Sequence, residues 1–125
     1  PAYEVSIEKN KHKNNNIMNK PTYISLFSGA GVGCYGFKLE QFNCISTVEI
    51  LEKRLNIQKH NNKCLLESGY ICGDIRNNDV KKQLKDNVEY FLKNSKNKEL
   101  DVLIATPPCQ GMSVANHKKQ NEKNR

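Results

Sequence analysis

The chain has no apolar run approaching the roughly 18 residues that a membrane-spanning helix needs, and no signal peptide is visible. Its five cysteines, Cys34, Cys44, Cys64, Cys72 and Cys109, contain no C-x-x-C pair, and their number is odd. That pattern argues against a disulfide framework and against a zinc site, so no metal is expected. Reduced thiols in a cytoplasmic setting fit best. Cys34, Cys44, Cys64 and Cys72 lie in or beside apolar segments and read as small buried hydrophobes. No internal repeat is present. The first residue is Pro1 rather than Met, so the chain is expected to have been cut or processed.

What is present is a short, basic chain. Its 125 residues allow one domain with a modest core. Twenty Lys and Arg against 13 Asp and Glu leave a net charge of +7. Much of the charge sits at the two ends, between Lys9 and Lys20 and at Lys118, Lys119, Lys123 and Arg125. Basic patches attract phosphate, which makes nucleic acid a reasonable partner; solvated, flexible ends are the alternative. Residues 1–20 are polar and read as an extension with little fixed structure, and residues 116–125 as a mobile tail.

Between the ends, strand and helix signals alternate. Short apolar strands are expected at residues 23–27, 44–48, 70–72 and 100–105. A glycine-rich turn at residues 28–36 opens a helix that runs to about Gln41. A second helix is expected over residues 50–61, with Leu51, Leu55 and Ile57–Gln58 at roughly helical spacing. The third spans residues 79–93, with Val80, Leu84, Val88, Phe91 and Leu92 on one face and Asp79 as N-cap. The alternation predicts an α/β fold, a doubly wound parallel sheet with right-handed crossovers. The apolar stretch at residues 100–105 reads as a strand buried on both faces.

Chemistry gathers at the ends of those strands. Pro107 and Pro108 stop the fourth strand and stiffen its exit, because proline cannot donate to a ladder. Cys109 follows at once, at the sheet edge where open α/β folds put their active sites, and is a candidate nucleophile. Gly31-Val32-Gly33-Cys34-Tyr35-Gly36 is a G-x-G-x-x-G turn between a strand and a helix. Such a turn either cradles a ligand with backbone N–H groups or merely packs helix on strand. Glu49 closes the second strand and Asp74 follows the third. Both carboxylates are expected on the edge that carries the turn. An acid for a ribose diol and an acid for an adenine amine suit an adenosine-containing cofactor; a turn cap and an exposed strand-end acid are the plainer readings.

Taken in order, these four strand ends resemble the cytosine-C5 DNA methyltransferases. Ile24-Ser25-Leu26-Phe27-Ser28-Gly29-Ala30-Gly31 is similar to that family's first motif, and Val48-Glu49 to its ribose-binding acid. Gly73-Asp74-Ile75 is similar to its adenine-contacting segment. Pro107-Pro108-Cys109-Gln110-Gly111-Met112-Ser113 is similar to its catalytic motif, the most specific of the four. Val32 stands where the family usually has a second glycine, Ser25 replaces a commonly acidic residue, and Met112 a commoner aromatic one.

The resemblance implies a Rossmann-like S-adenosylmethionine-dependent sheet of which only the first four strands are present, in the order 3-2-1-4. Residues 21–115 would form the N-terminal half of the catalytic domain. It implies S-adenosylmethionine as cofactor, held by Phe27, Ser28, Gly29, Ala30, Gly31, Gly33, Glu49, Ile50, Asp74, Ile75 and Pro107. Cys109 would add to C6 of a cytosine flipped out of double-stranded DNA, since a thiolate both adds readily and departs cleanly. Gln110, Ser113, Asn116, Lys118 and Lys119 would contact the nucleotide or its phosphates. A bacterial restriction-modification system is the expected setting. The family's proton-donating glutamate, its arginine and its base-reading domain are missing, so a truncation or one subunit of a split enzyme, inactive alone, is expected. A tRNA-acting enzyme and a non-catalytic cofactor-binding half-domain share these motifs. A NAD-dependent dehydrogenase would rest on G-x-G-x-x-G alone.

Overall fold

The computed structural model describes residues 20–96 and 98–108. Four strands, β1 (Thr22–Leu26), β2 (Asn43–Glu49), β3 (Tyr70–Cys72) and β4 (Val102–Ala105), form one parallel sheet in the order β3-β2-β1-β4. Three helices connect them: α1 (Tyr35–Leu39), α2 (Glu52–His60) and α3 (Asn78–Asn94). The expected α/β fold and strand order are both present.

The two sheet faces are covered by different helices, because successive strand residues point to opposite sides. Tyr23 of β1 packs with Cys34, Cys44, Cys64 and Phe37 on the side of α1 and α2. Ile24 packs with Ile45 beneath Leu84, Val88 and Phe91 of α3. Val48, Ile71 and Val80 extend that second layer. Strand β2 lies between two neighbours and two helix layers, so all seven of its residues are buried, four of them polar or acidic.

A bulge in β2 decides which side chains reach the site. Tyr23 pairs with Cys44 but Ile24 pairs with Ser46, so Ile45 is one extra residue on β2. Ile45 and Ser46 both serve the α3 side: Ile45 in the apolar cluster, Ser46 as acceptor from Asn87 Nδ2 at 3.2 Å. After the shift Thr47 lies opposite Ser25 on the α2 side, and Glu49 follows two residues on.

Several expectations are corrected. The glycine turn does not run straight into a long helix. A 3₁₀ turn at Val32–Cys34 precedes the five-residue α1, in keeping with the glycine-rich composition of the segment. Asn77, not Asp79, caps α3: its side chain accepts from the Asp79 N–H at 2.8 Å, and Asp79 sits in the first turn, where a negative charge is favourable. Of the four residues expected at helical spacing, Leu51 and Ile57 are exposed, while Leu55 and Gln58 are buried. Cys72 is exposed at the end of β3, an edge strand, whereas Cys34, Cys44 and Cys64 are buried as expected. Strand β4 is not buried on both faces. It pairs only with β1 among the described residues, α3 packs on β2 and β3, and Leu103 remains 57% exposed.

The N-terminal extension up to residue 19 and the positions Cys109, Gln110, Ser113, Asn116, Lys118 and Lys119 lie outside the described residues. No helix among the described residues is long and apolar enough to cross a membrane.

Candidate functional site

Parallel strands put their C-terminal ends on one edge of the sheet, and here that edge carries the glycine turn, Glu49 and the Gly73–Ile75 segment together. Between them lies a cavity of about 540 Å³. Phe27, Val48 and Ile50 form one part of its wall, Gly73, Asp74 and Ile75 another, and Thr106 and Pro108 close the side beyond β4. Arg54 and Arg76 stand at its rim.

Glu49 is held from several sides. Only 5% of it is exposed. Its Oε2 accepts from the Gly29 N–H at 2.6 Å, its Oε1 accepts from the Leu51 N–H at 3.2 Å, and Arg54 Nη1 lies 4.0 Å from Oε1. A carboxylate with backbone donors on both oxygens has a fixed direction.

Asp74 is set differently. The Arg76 backbone N–H and guanidinium both donate to it, the shortest contact being Nη2 to Oδ2 at 2.6 Å. The Arg76 hydrogen bonds hold its carboxyl down at about 2, so it is ionised throughout the neutral range.

The turn itself rests on a buried polar cluster. Ser28 follows Phe27 and donates from its N–H and its hydroxyl to the Val48 carbonyl, each at 3.3 Å. Gln58 of α2 reaches beneath it, donating from Nε2 to Ser28 Oγ at 2.7 Å and to the Gly29 carbonyl. Thr47 Oγ1 donates to Gln58 Oε1 at 2.9 Å, with the Ser28 hydroxyl 2.7 Å away, and Lys63 Nζ donates to Thr47 Oγ1 at 3.3 Å. Phe27, with φ of 54°, and Gly29, with φ of 58°, take left-handed backbone conformations that turn the chain back across the strand ends.

Behind the turn, Cys44 and Cys64 lie directly opposite each other, Sγ to Sγ 3.6 Å, in a buried pair. A hydrogen bond from the Cys64 thiol draws Cys44 below the ordinary thiol range, while burial and the neighbouring Cys44 push Cys64 well above it. Among the described residues no group of three or more His, Cys, Asp or Glu is placed to hold a metal.

Of the residues singled out from sequence, Phe27, Glu49, Ile50, Asp74 and Ile75 share the main cavity. Ala30 and Gly31 instead line a second cavity of about 240 Å³, with Tyr23, Ile57 and Gln58. Ser28, Gly29, Gly33 and Pro107 are not in the main cavity's wall, although Gly29 reaches it through Glu49. Sequence reasoning passed over Arg54, Arg76, Thr106 and, above all, Gln58. The signal for Gln58 was a polar residue three positions after Leu55, on the stripe that faces the sheet.

A type II methyltransferase, M1.HgaI of Avibacterium volantium, is 35% identical over 92 residues, which is 74% of this chain and 23% of that relative. The chain therefore spans about a quarter of the length of the curated relative it matches. No solved structure matches it. The family described as C-5 cytosine-specific DNA methylase matches residues 22–125, from the start of β1 through the glycine turn, both acids and the Pro-Pro-Cys segment. The chain belongs to the C-5 cytosine-specific DNA methylase family.

Proposed function

We propose that this chain is the S-adenosylmethionine-binding part of a DNA cytosine-C5 methyltransferase. The observation that carries the reading is one cavity bearing both an oriented buried carboxylate, Glu49, and an ionised rim carboxylate, Asp74, over apolar walls. The residues fit the cofactor the family uses. Glu49 would accept from the ribose hydroxyls and Asp74 from the adenine amine. Phe27, Ile50 and Ile75 would flank the base, and Pro107 would stand near the methyl group. Backbone from Ser28 to Gly33 would hold the methionine portion. When bound, S-adenosylmethionine supplies an electrophilic methyl group.

The chain's own chemical contribution is a thiolate. Cytosine C5 is a poor nucleophile because the ring is electron-deficient. Addition of Cys109 at C6 turns C4–C5 into an enamine and gives C5 its nucleophilic character. Departure of the C5 proton afterwards lets the thiolate leave. The target base has to leave the duplex, and Gln110, Ser113, Asn116, Lys118 and Lys119 would contact it or its phosphates. The sequence of Pro-Pro-Cys-Gln directly after β4 supports this assignment. The half-exposed edge of β4 supports a further point: additional polypeptide, in the same or another chain, pairs along it and completes a catalytic domain that is inactive without it. A type II relative supports a bacterial restriction-modification setting in the cytoplasm.

Calorimetric titration with S-adenosylmethionine and with NAD tests the cofactor reading. Binding of the former is expected, and preference for NAD would overturn it. Incubation with duplex DNA containing 5-fluorocytosine, in the presence of the complementary polypeptide and cofactor, tests the nucleophile. A covalent adduct lost in Cys109→Ser is expected; an adduct that survives the substitution rejects Cys109.

A further inference from the structure

We propose that Gln58 is a positioning residue for the cofactor-binding turn: its side-chain amide fixes the peptide at Gly29 and so sets the direction of Glu49. The inference rests on the cofactor reading for its functional meaning and on geometry alone for its structural part.

Gln58 is 99% removed from solvent, yet every polar atom of its side chain is used. Nε2 has two protons and two acceptors, Ser28 Oγ and the Gly29 carbonyl. Oε1 accepts from Thr47 Oγ1. The orientation of the amide is determined by chemistry, because the Gly29 carbonyl can only accept and so faces the nitrogen. Gly29 is thereby held at both ends. Its carbonyl is tied to α2 through Gln58, and its N–H to the end of β2 through Glu49 Oε2 at 2.6 Å.

The fit is specific to glutamine. The site needs two donors and an acceptor on one planar group at the end of a three-carbon reach. Asparagine is one methylene short. Lysine has no acceptor, and an ionised glutamate has no donor. The stem of Gln58 is also used: a Cβ built on Gly31 would lie 3.2 Å from Gln58 Cγ, so the turn packs directly on the side chain. The β2 bulge contributes as well, since the register shift at Ile45 is what brings Thr47 to the α2 side.

Buried polar networks of this kind specify one conformation when fully satisfied and cost most when half broken. Removing the amide while keeping its volume should therefore leave the sheet in place and release the turn.

The test uses this chain, Gln58→Met and Gln58→Glu. Hydrogen exchange by NMR reads the Gly29 amide, and calorimetry reads S-adenosylmethionine affinity. In Gln58→Met, exchange at Gly29 is expected to accelerate about tenfold relative to amides of β1 and β2, with a similar loss of cofactor affinity, as for loss of hydrogen bonds totalling roughly one decade. In Gln58→Glu, both readouts should move back toward the parent values as pH falls from about 8 to about 5, because a protonated carboxyl again offers a donor beside an acceptor. Should Gln58→Met fail to fold, Gln58→Glu at the two pH values carries the test. Equal acceleration at all amides, or unchanged exchange at Gly29, overturns the proposal. Faster exchange at Gly29 in Gln58→Met, with a parent chain that itself binds no S-adenosylmethionine, keeps Gln58 as the turn's anchor and rejects the cofactor reading instead.

Discussion

The Gly29 amide donates to Glu49 Oε2 across 2.6 Å, joining the glycine turn to the end of the neighbouring strand twenty residues away in sequence. The turn and the acid are thus one unit. A ligand that engages the carboxylate also meets the backbone that orients it.

Glu49→Ala should therefore cost more than one ligand contact. It removes the acceptor for two backbone N–H groups, and hydrogen bonds to charged groups contribute about 1.5–3 kcal/mol each. Cofactor affinity measured by calorimetry is expected to fall at least about tenfold. Glu49→Gln should fall less, because its amide oxygen still accepts. Equal affinity in all three proteins would remove Glu49 from the site.

The Asp74–Arg76 pair predicts a titration. Arg76 holds the Asp74 carboxyl down at about 2, against about 3.9 in an unfolded chain. A depressed carboxyl stabilises the folded state above the unfolded value and loses that contribution as pH falls from about 4 toward about 2. Carbon-detected NMR of the side chain should show Arg76→Gln returning Asp74 toward the ordinary carboxylate range. A midpoint unmoved by that substitution would show the pair to be absent in solution.

Two glycines should respond in opposite ways to alanine. At Gly69 a Cβ would meet the Ile45 carbonyl oxygen at 2.5 Å and the Cys64 side chain at 3.1 Å, against backbone that cannot easily move. Overpacking of this sort costs about 1–3 kcal/mol. At Gly36, in α1, a Cβ meets nothing within 4 Å, and alanine should add about 0.5 kcal/mol by restricting the unfolded chain. Urea denaturation of the two variants measures both.

Thiol chemistry should sort by burial. Cys72 is exposed, whereas Cys34, Cys44 and Cys64 are buried. Brief treatment of the folded chain with iodoacetamide, followed by peptide mass spectrometry, should label Cys72 ahead of those three. Labelling of Cys44 or Cys64 is expected only after denaturant is added, despite the lowered pKa of Cys44, because reagent has to reach the sulfur.

Much of this arrangement is legible in the primary structure. Strand and helix periodicities alternate cleanly, so a parallel sheet follows, and β3 at Tyr70–Cys72 falls where the apolar triplet predicts it. Glu49 and Asp74 are readable because a lone acid at a strand end has no core to serve. Other features are not local. The exposure of Cys72 depends on β3 being an edge, and that of Leu103 on which strands α3 covers. Asn77 and Asp79 are both good caps, and only the backbone decides between them. Gln58 falls on the helical spacing read from sequence, but its role there is not legible, because the three partners of its amide come from β2 and the turn.

Phe27 brings the demands of folding and of binding into conflict at one position. Its φ of 54° is a conformation that glycine adopts without strain and a bulky residue does not, yet its ring is part of the cavity wall. Laboratory evolution under heat alone would drift toward glycine or asparagine here. Evolution under selection for ligand capture would hold the phenylalanine and look for thermal resistance elsewhere. The residue that survives at this position in such an experiment would report which pressure had acted.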